Sequence, residues 1–180
     1  MGFRRLEFIS FPNAPYAPGC GAAAGVRGEE RPLMIVFFVN RRLAFGSKCT
    51  RARHIQKLES LGITHVIDVR NYAGKKLRKF KIIRLNFKDD ARPRPMWFYA
   101  RALRFYEKSL KHPNSKVYVM CRAGRRRSAN MVYFLLRASG VGPRKAENTI
   151  RRARPCAQIV RAYRLSGEQY LKRMNRTEEK

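Results

Sequence analysis

The feature that most constrains the fold is a short apolar run that stops at a cysteine and is followed by a helical pattern. Val117–Met120 has the length and composition of a buried strand, and the pattern from Ser128 to Ser139 indicates a helix. Between them stands CRAGRRR, residues 121–127. A strand, a glycine-containing loop and a helix N-terminus form a cradle for an anion, because loop N–H groups point inward and the helix adds partial positive charge.

The residue types in this loop suit two tasks, binding an anion and attacking it with a nucleophile. Gly124 permits backbone angles that other residues resist. In the positive field of the loop dipoles and arginines, the Cys121 thiol is expected to supply thiolate near neutral pH. Arg127 can hold two phosphate oxygens in a planar fork and bind more tightly as charge develops in the transition state. The other candidates for substrate binding are Arg122, Ala123, Arg125 and Arg126, together with Gly124.

The rest of the chain alternates strand and helix patterns, a βαβ rhythm. The patterns predict strands over 33–39, 63–69 and 82–87, with 41–45 continuing a hairpin, and helices over 54–61, 96–110, from Pro143 onward, and 161–174. We therefore predict an α/β fold with a central, mainly parallel sheet flanked by helices. The anion loop should lie at the carboxyl end of a central strand.

The chain resembles a known family at several places. Cys121, Gly124, Arg127 and Ser128 match the C-x-x-G-x-x-R-S signature of cysteine-dependent protein tyrosine phosphatases, dual-specificity type. THVIDVR at 64–70, LNFKDD at 85–90 and the helix pair over 129–155 are also similar to that family, so that roughly residues 34–172 are covered. The resemblance implies a dual-specificity-phosphatase-like fold, with residues 33–174 as the catalytic domain.

The same resemblance implies an activity. Phosphate monoesters would be hydrolysed through a phosphocysteine intermediate, in phosphotyrosine or phosphoserine/threonine proteins or in a polyphosphorylated substrate, without metal or cofactor. It implies a general acid, for which Asp89 is the first choice and Asp90 the alternative; Asp68, inside an apolar strand, suits a structural hydrogen bond. Ser128 would steady the thiolate when the intermediate is hydrolysed. Met120 departs from the family, which usually has histidine there, and this predicts a slow enzyme.

Simpler interpretations stand beside these. A cysteine after an apolar strand is commonly a core residue, adjacent aspartates can cap a turn, and the additional loop arginines can be solvated. The three histidines have no metal-ligand spacing, so no metal site is predicted. A reversible disulfide between Cys121 and either Cys49 or Cys156 is a weaker hypothesis.

Two rival functions remain open. CRAGRR also fits the shorter persulfide loop of rhodanese-like sulfurtransferases, although Ser128 after Arg127 and the candidate acid near Asp89 favour the phosphatase register. Alternatively, the chain is an inactive phosphatase-like module that binds nucleic acid or another polyanion. Retention of nucleophile, glycine, arginine and serine together argues against pure binding.

Charge defines the class of partner. The chain has 41 Lys and Arg against 12 Asp and Glu, a formal net charge of +29. We expect a phosphorylated protein or another phosphate-bearing polyanion, while nucleic acid or an anionic surface would also be attracted. No apolar run approaches the roughly 20 residues of a transmembrane helix.

The remaining expectations concern the termini and the cell compartment. Residues 1–32 are rich in Pro, Gly and Ala and are predicted to be an irregular or disordered extension, and residues 175–180 a charged tail. The four cysteines form no C-x-x-C pair. Their separation suits a reducing, cytoplasmic setting, or a nuclear one if the source is eukaryotic.

Overall fold

A computed structural model describes residues 34–49, 51–70 and 77–178. The predicted extension at 1–32 lies outside this part, as do residues 71–76 and the last two positions. The elements follow the predicted alternation of strands and helices, and the apolar face of each element packs toward the sheet core.

Within the described residues, five strands form one sheet in the order β1-β2-β5-β3-β4. The pairs β2–β5, β5–β3 and β3–β4 are parallel, and only β1–β2 is antiparallel. The predicted central, mainly parallel sheet is confirmed, with β5 in its middle. The strands are β1 (Val36–Phe38), β2 (Leu43–Gly46), β3 (His65–Asp68), β4 (Lys81–Arg84) and β5 (Val117–Met120).

Helices cover both faces of the sheet. Alternate residues of β5 divide between two cores, because successive side chains of a strand point to opposite faces. Val117 and Val119 join the larger core, which contains residues of the last four helices, whereas Tyr118 and Met120 join a smaller core with Leu58 of the first helix. The helices are α1 (Ala52–Ser60), α2 (Met96–Leu110), α3 (Arg127–Ala138), α4 (Pro143–Ala153) and α5 (Arg161–Glu178).

The strand predicted over 82–87 ends earlier, at Arg84. Asn86 has a φ of +46°, which is incompatible with an extended strand and turns the chain away from the sheet. Leu85 and Phe87 nevertheless stay in the core, each 1% exposed. The apolar run at 82–87 therefore predicted burial correctly, but its second half is a buried connection and not a strand. This connection leads toward the anion loop.

The end of α5 differs from its prediction, whereas the role of Asp68 agrees with it. Helix α5 continues to Glu178, beyond the predicted end at 174 and into the segment expected to be a charged tail. Asp68 is structural, as expected: its carboxylate accepts hydrogen bonds from the Arg70 guanidinium at 2.7 and 2.8 Å and from its amide at 3.1 Å. In the described ranges no helix is both long and apolar enough to cross a bilayer.

Candidate active site

The loop that begins at Cys121 joins the end of β5 to the start of α3. Its first residue is fixed to the neighbouring strand, since the Cys121 amide donates to the Gly46 carbonyl at 3.3 Å. The predicted helix starts at Arg127, so its N-terminus faces the loop. Cys121 is 3% exposed, and the thiol therefore lies at the base of the loop rather than on the surface.

Two groups contact the thiol. The Gly124 amide donates a hydrogen bond to Sγ at 3.1 Å, and the Ser128 hydroxyl lies 3.3 Å from the same atom. Because Ser128 is fully buried, its hydroxyl stays close to Cys121 Sγ. Two donors within reach of one sulfur would stabilise negative charge on it, both before an attack and after the sulfur has left.

Gly124 cannot be replaced without strain. Its φ is +70°, and an added Cβ would overlap the Gly46 backbone and approach Arg154 Nη1 to 2.6 Å. The positive φ turns the Gly124 amide toward the sulfur. The glycine predicted from the motif is thus required both by its own backbone angle and by the close passage of β2.

Arg154 braces the loop from outside. Its Nη1 donates to the Gly124 carbonyl at 2.9 Å, and its guanidinium lies over the Phe37 ring, 4.8 Å from the centroid. Arg154 is nearly buried and follows the last residue of α4. In the sequence, Arg154 stands out only as part of the resemblance over the helix pair, and nothing there predicts its contact with the loop.

Asn130 holds the other end of the loop and was missed. Its Nδ2 donates to the carbonyls of Arg126 and Gln158, both at 2.8 Å, and its Oδ1 accepts from the Val160 amide at 2.9 Å. The side chain thereby ties the loop to the connection between α4 and α5. A buried asparagine in the first turn of a helix was the available signal, because such a group must find partners.

Arg127 is buried, with 6% of its surface exposed. Its Nη1 donates to the Phe87 carbonyl at 3.1 Å, and its Nε lies 3.6 Å from Asp89 Oδ2. The buried connection after β4 therefore touches the guanidinium directly. One arm of the planar guanidinium is thus anchored to the backbone of this connection.

The two candidate acids occupy different positions. Asp89 faces the loop and contacts Arg126 and Arg127, with Arg126 Nη1 3.5 Å from Oδ1. Asp90 pairs instead with Arg94 and accepts a hydrogen bond from the Arg92 amide. The structure thus brings Asp89, and not Asp90, into contact with the arginine that closes the loop.

The other loop residues differ in exposure. Arg122, Ala123 and Arg125 are exposed, whereas Arg126 is half-buried. Among the described residues no side-chain hydrogen bond or ion pair engages Arg122 or Arg125. These two guanidiniums remain available to a bound anion. Across the same part of the chain, no group of three or more His, Cys, Asp or Glu residues could hold a metal ion.

Met120 is fully buried on the opposite face of the sheet from α3. Its side chain packs in the smaller core with Tyr118 and Cys49, so the side chain before Cys121 contributes packing alone. Tyr118 donates to the Ser47 carbonyl at 2.7 Å and braces the segment after β2. Burial raises the pKa of Cys49 to about 11, although the nearby Arg70 charge opposes this.

Comparisons with known proteins agree with this geometry. Residues 44–166 match the family described as dual specificity phosphatase, catalytic domain. A search of the curated proteins found no match. Among solved structures, PTPMT1 in complex with PI(5)P superposes with a TM-score of 0.70 at 18% identity, covering 79% of this chain and 98% of that one.

Two other solved structures are similar. The human tyrosine phosphatase-like serine/threonine/tyrosine-interacting protein gives a TM-score of 0.68 at 21% identity, over 77% of this chain and 97% of that one. DUSP15 gives 0.68 at 20% identity, over 81% and 96%. At these identities the superpositions establish the shared fold, while the family match covers the loop and both helices that hold it.

Proposed function

This chain belongs to the dual-specificity phosphatase family, and we propose that it hydrolyses phosphate monoesters through a phosphocysteine formed on Cys121. The proposal rests on the two groups that contact Cys121 Sγ, which are the Gly124 amide at 3.1 Å and the Ser128 hydroxyl at 3.3 Å. A core cysteine needs no such donors. A nucleophile that must ionise and later leave does need them.

The first step transfers the phosphoryl group to sulfur. The Cys121 thiolate attacks phosphorus, an S–P bond forms, and the P–O bond to the leaving group breaks. Arg127 and the loop amides hold the equatorial oxygens as charge develops on them. Asp89 donates its proton to the departing oxygen, so that an alcohol leaves rather than an alkoxide.

The second step returns the enzyme to its starting state. Asp89, now a carboxylate, takes a proton from a water molecule that attacks phosphorus. The S–P bond breaks, inorganic phosphate is released and the thiolate re-forms. The Ser128 hydroxyl donates toward the departing sulfur and stabilises its negative charge.

Asp89 is our candidate for the general acid because of its partners. Its carboxylate contacts the guanidinium that would hold the phosphate, at 3.6 Å. Asp90 is engaged by Arg94, which also lies over the rings of Phe87 and Tyr163 at 4.8 and 5.3 Å. That network favours a structural role for Asp90.

We propose a substrate with more than one negative group. A single phosphate is satisfied by Arg127 and the loop amides, whereas Arg122 and Arg125 add exposed charge at the rim. With a net charge of +29, long-range attraction favours polyanions. Multiply phosphorylated proteins, an inositol phosphate or an RNA 5′ end fit this class, and PTPMT1, which shares the fold, has been solved in complex with PI(5)P.

The test is phosphate release from a panel of monoesters by wild type, Cys121→Ser and Arg127→Ala. We expect turnover by wild type only, with polyphosphorylated substrates preferred and the preference reduced by salt. Cys121→Ser should still bind a polyanion. Wild type that binds a polyanion without turnover would indicate an inactive binding module, and thiosulfate cleavage in place of phosphate release would indicate a sulfurtransferase.

A further inference from the structure

The Asp89 carboxylate bridges two neighbouring arginines, one oxygen to each. Arg126 Nη1 lies 3.5 Å from Oδ1, and Arg127 Nε lies 3.6 Å from Oδ2. Among the described residues, the buried Nε atoms of both arginines have no hydrogen-bond partner. Arg127 therefore holds an unpartnered Nε–H donor close to the carboxylate, whereas Arg126 approaches it through Nη1.

A phosphate bound in the loop would compete with Asp89 for Arg127. Arg127 is the residue that grips the phosphate, and a dianionic phosphate with several oxygens competes well against one carboxylate for a guanidinium fork. When Arg127 binds the phosphate, Asp89 keeps its contact with Arg126 through Oδ1, and Oδ2 is the oxygen that carries the proton for the leaving group. The second arginine is then the remaining charged partner of the acid among the described residues.

The backbone around Asp89 is held by hydrogen bonds that do not involve its side chain. The Tyr163 hydroxyl accepts from the Ala91 amide at 2.7 Å and lies 3.4 Å from the Lys88 carbonyl, which fixes the segment on both sides of the acid. Neither bond fixes the side-chain torsions of Asp89, so the carboxylate is oriented by its contacts with the two arginines. A side-chain partner is needed to aim it at the leaving oxygen.

Arg126 projects from a fixed point. Its carbonyl accepts hydrogen bonds from the Asn130 amide at 2.9 Å and from the Asn130 side chain at 2.8 Å. With its backbone held at the start of α3 and its side chain 37% exposed, the guanidinium can reach across the loop to Asp89. Neither Arg122 nor Arg125 makes a comparable contact in the described part.

We propose that Arg126 is a positioning residue for the general acid, and that it holds Asp89 over the loop while Arg127 binds the phosphate. The inference rests on the proposed phosphatase function and deepens it. Three adjacent arginines thereby have different roles, since Arg125 meets substrate charge, Arg126 orients the acid and Arg127 binds the reacting phosphate. Arg126 acts only through Asp89.

Leaving-group dependence tests this assignment. A good leaving group such as dinitrophenolate departs without a proton, whereas phenolate or an alkoxide requires one. We expect Arg126→Ala to lower kcat about tenfold with phenyl phosphate, a part of the roughly 100-fold or greater effect of general acid catalysis. With dinitrophenyl phosphate kcat should be nearly unchanged. Arg126→Lys should restore part of the phenyl phosphate rate.

Two controls separate positioning from substrate binding. Arg125→Ala removes the same charge from the same loop and should raise KM equally for both substrates. In an Asp89→Asn background, Arg126→Ala should cause no further loss with phenyl phosphate, because the residue that it orients is gone. Thermal unfolding of each variant checks that the loop remains folded.

The inference is overturned if Arg126→Ala lowers kcat equally for both leaving groups, or if its effect persists in the Asp89→Asn background. Either outcome would leave the phosphatase function intact. An inactive wild type would overturn the proposed function itself and this inference with it. The two failures are therefore distinguishable in one set of measurements.

Discussion

Arg154 donates a hydrogen bond to the carbonyl of Gly124 at 2.9 Å and thereby ties the end of α4 to the middle of the anion loop. The same guanidinium covers the Phe37 ring. Because Gly124 also supplies the amide that contacts Cys121 Sγ, this bond fixes the peptide units on which the thiol depends. The loop is thus held by contacts that need no substrate, which is what the proposed function requires for electrostatic stabilisation of a transition state.

Arg154→Ala should therefore impair both stability and turnover. Loss of a buried, charge-assisted hydrogen bond costs about 1.5–3 kcal/mol of unfolding free energy. We expect a lower denaturant midpoint and a lower kcat on an aryl phosphate. Arg152→Ala, an exposed position in the last turn of α4, should change neither quantity. Equal stability of wild type and Arg154→Ala would show that the bond does not hold the loop.

Ser128→Ala should slow hydrolysis of the phosphocysteine more than its formation. The hydroxyl is 3.3 Å from Sγ, and a hydrogen bond to a charged group is worth about 1.5–3 kcal/mol, or about tenfold or more in rate. Rapid-mixing kinetics should then show a burst of released phenol followed by slow turnover. Ser128→Thr keeps the hydroxyl and should show a smaller burst; a slow variant without any burst would assign Ser128 to the first step.

Cys49 should be unreactive at neutral pH although it is a free thiol near the loop. Burial raises its pKa to about 11, so only about one molecule in ten thousand carries the thiolate at pH 7. Iodoacetamide at neutral pH should label Cys121 well before Cys49, as measured by peptide mass spectrometry, and Cys49 labelling should rise as pH approaches 11. A neutral thiol is a poor partner for disulfide exchange. Equal labelling of both cysteines at pH 7 would contradict this expectation.

His65 should make the fold less stable in mild acid. Burial lowers the pKa of His65 from 6.5, and the positive charges of Lys81, His112 and Arg42 lower it further. The unfolded chain therefore takes up the proton first, and unfolding free energy falls as pH drops below about 6.5. His65→Asn should reduce the loss measured by urea unfolding between pH 7 and 5.5. The remaining loss would include His54, whose pKa is lowered by burial and by Arg53 and Arg51. An unchanged pH dependence would exclude His65 as a contributor.

Contacts in the loop could be predicted from the sequence where the residues are neighbours in the chain. Cys121, Gly124 and Ser128 lie within one strand–loop–helix unit, so local backbone geometry brings them together wherever that unit forms. The central, mainly parallel sheet could also be predicted, because apolar periodicity indicates burial and short crossovers favour parallel strands. Strand bounds were less certain, since Leu85 and Phe87 are buried without belonging to a strand.

Only the tertiary structure decided contacts between distant parts of the chain. Asp89 meets Arg126 and Arg127 because the connection after β4 folds over the loop, and Arg154 reaches Gly124 because α4 packs beside it. No pattern in the sequence specifies such distances, since two adjacent aspartates have the same composition and spacing whichever of them faces the site. The local chemistry of the loop was determined by the sequence alone, and packing decided which acid and which arginines surround it.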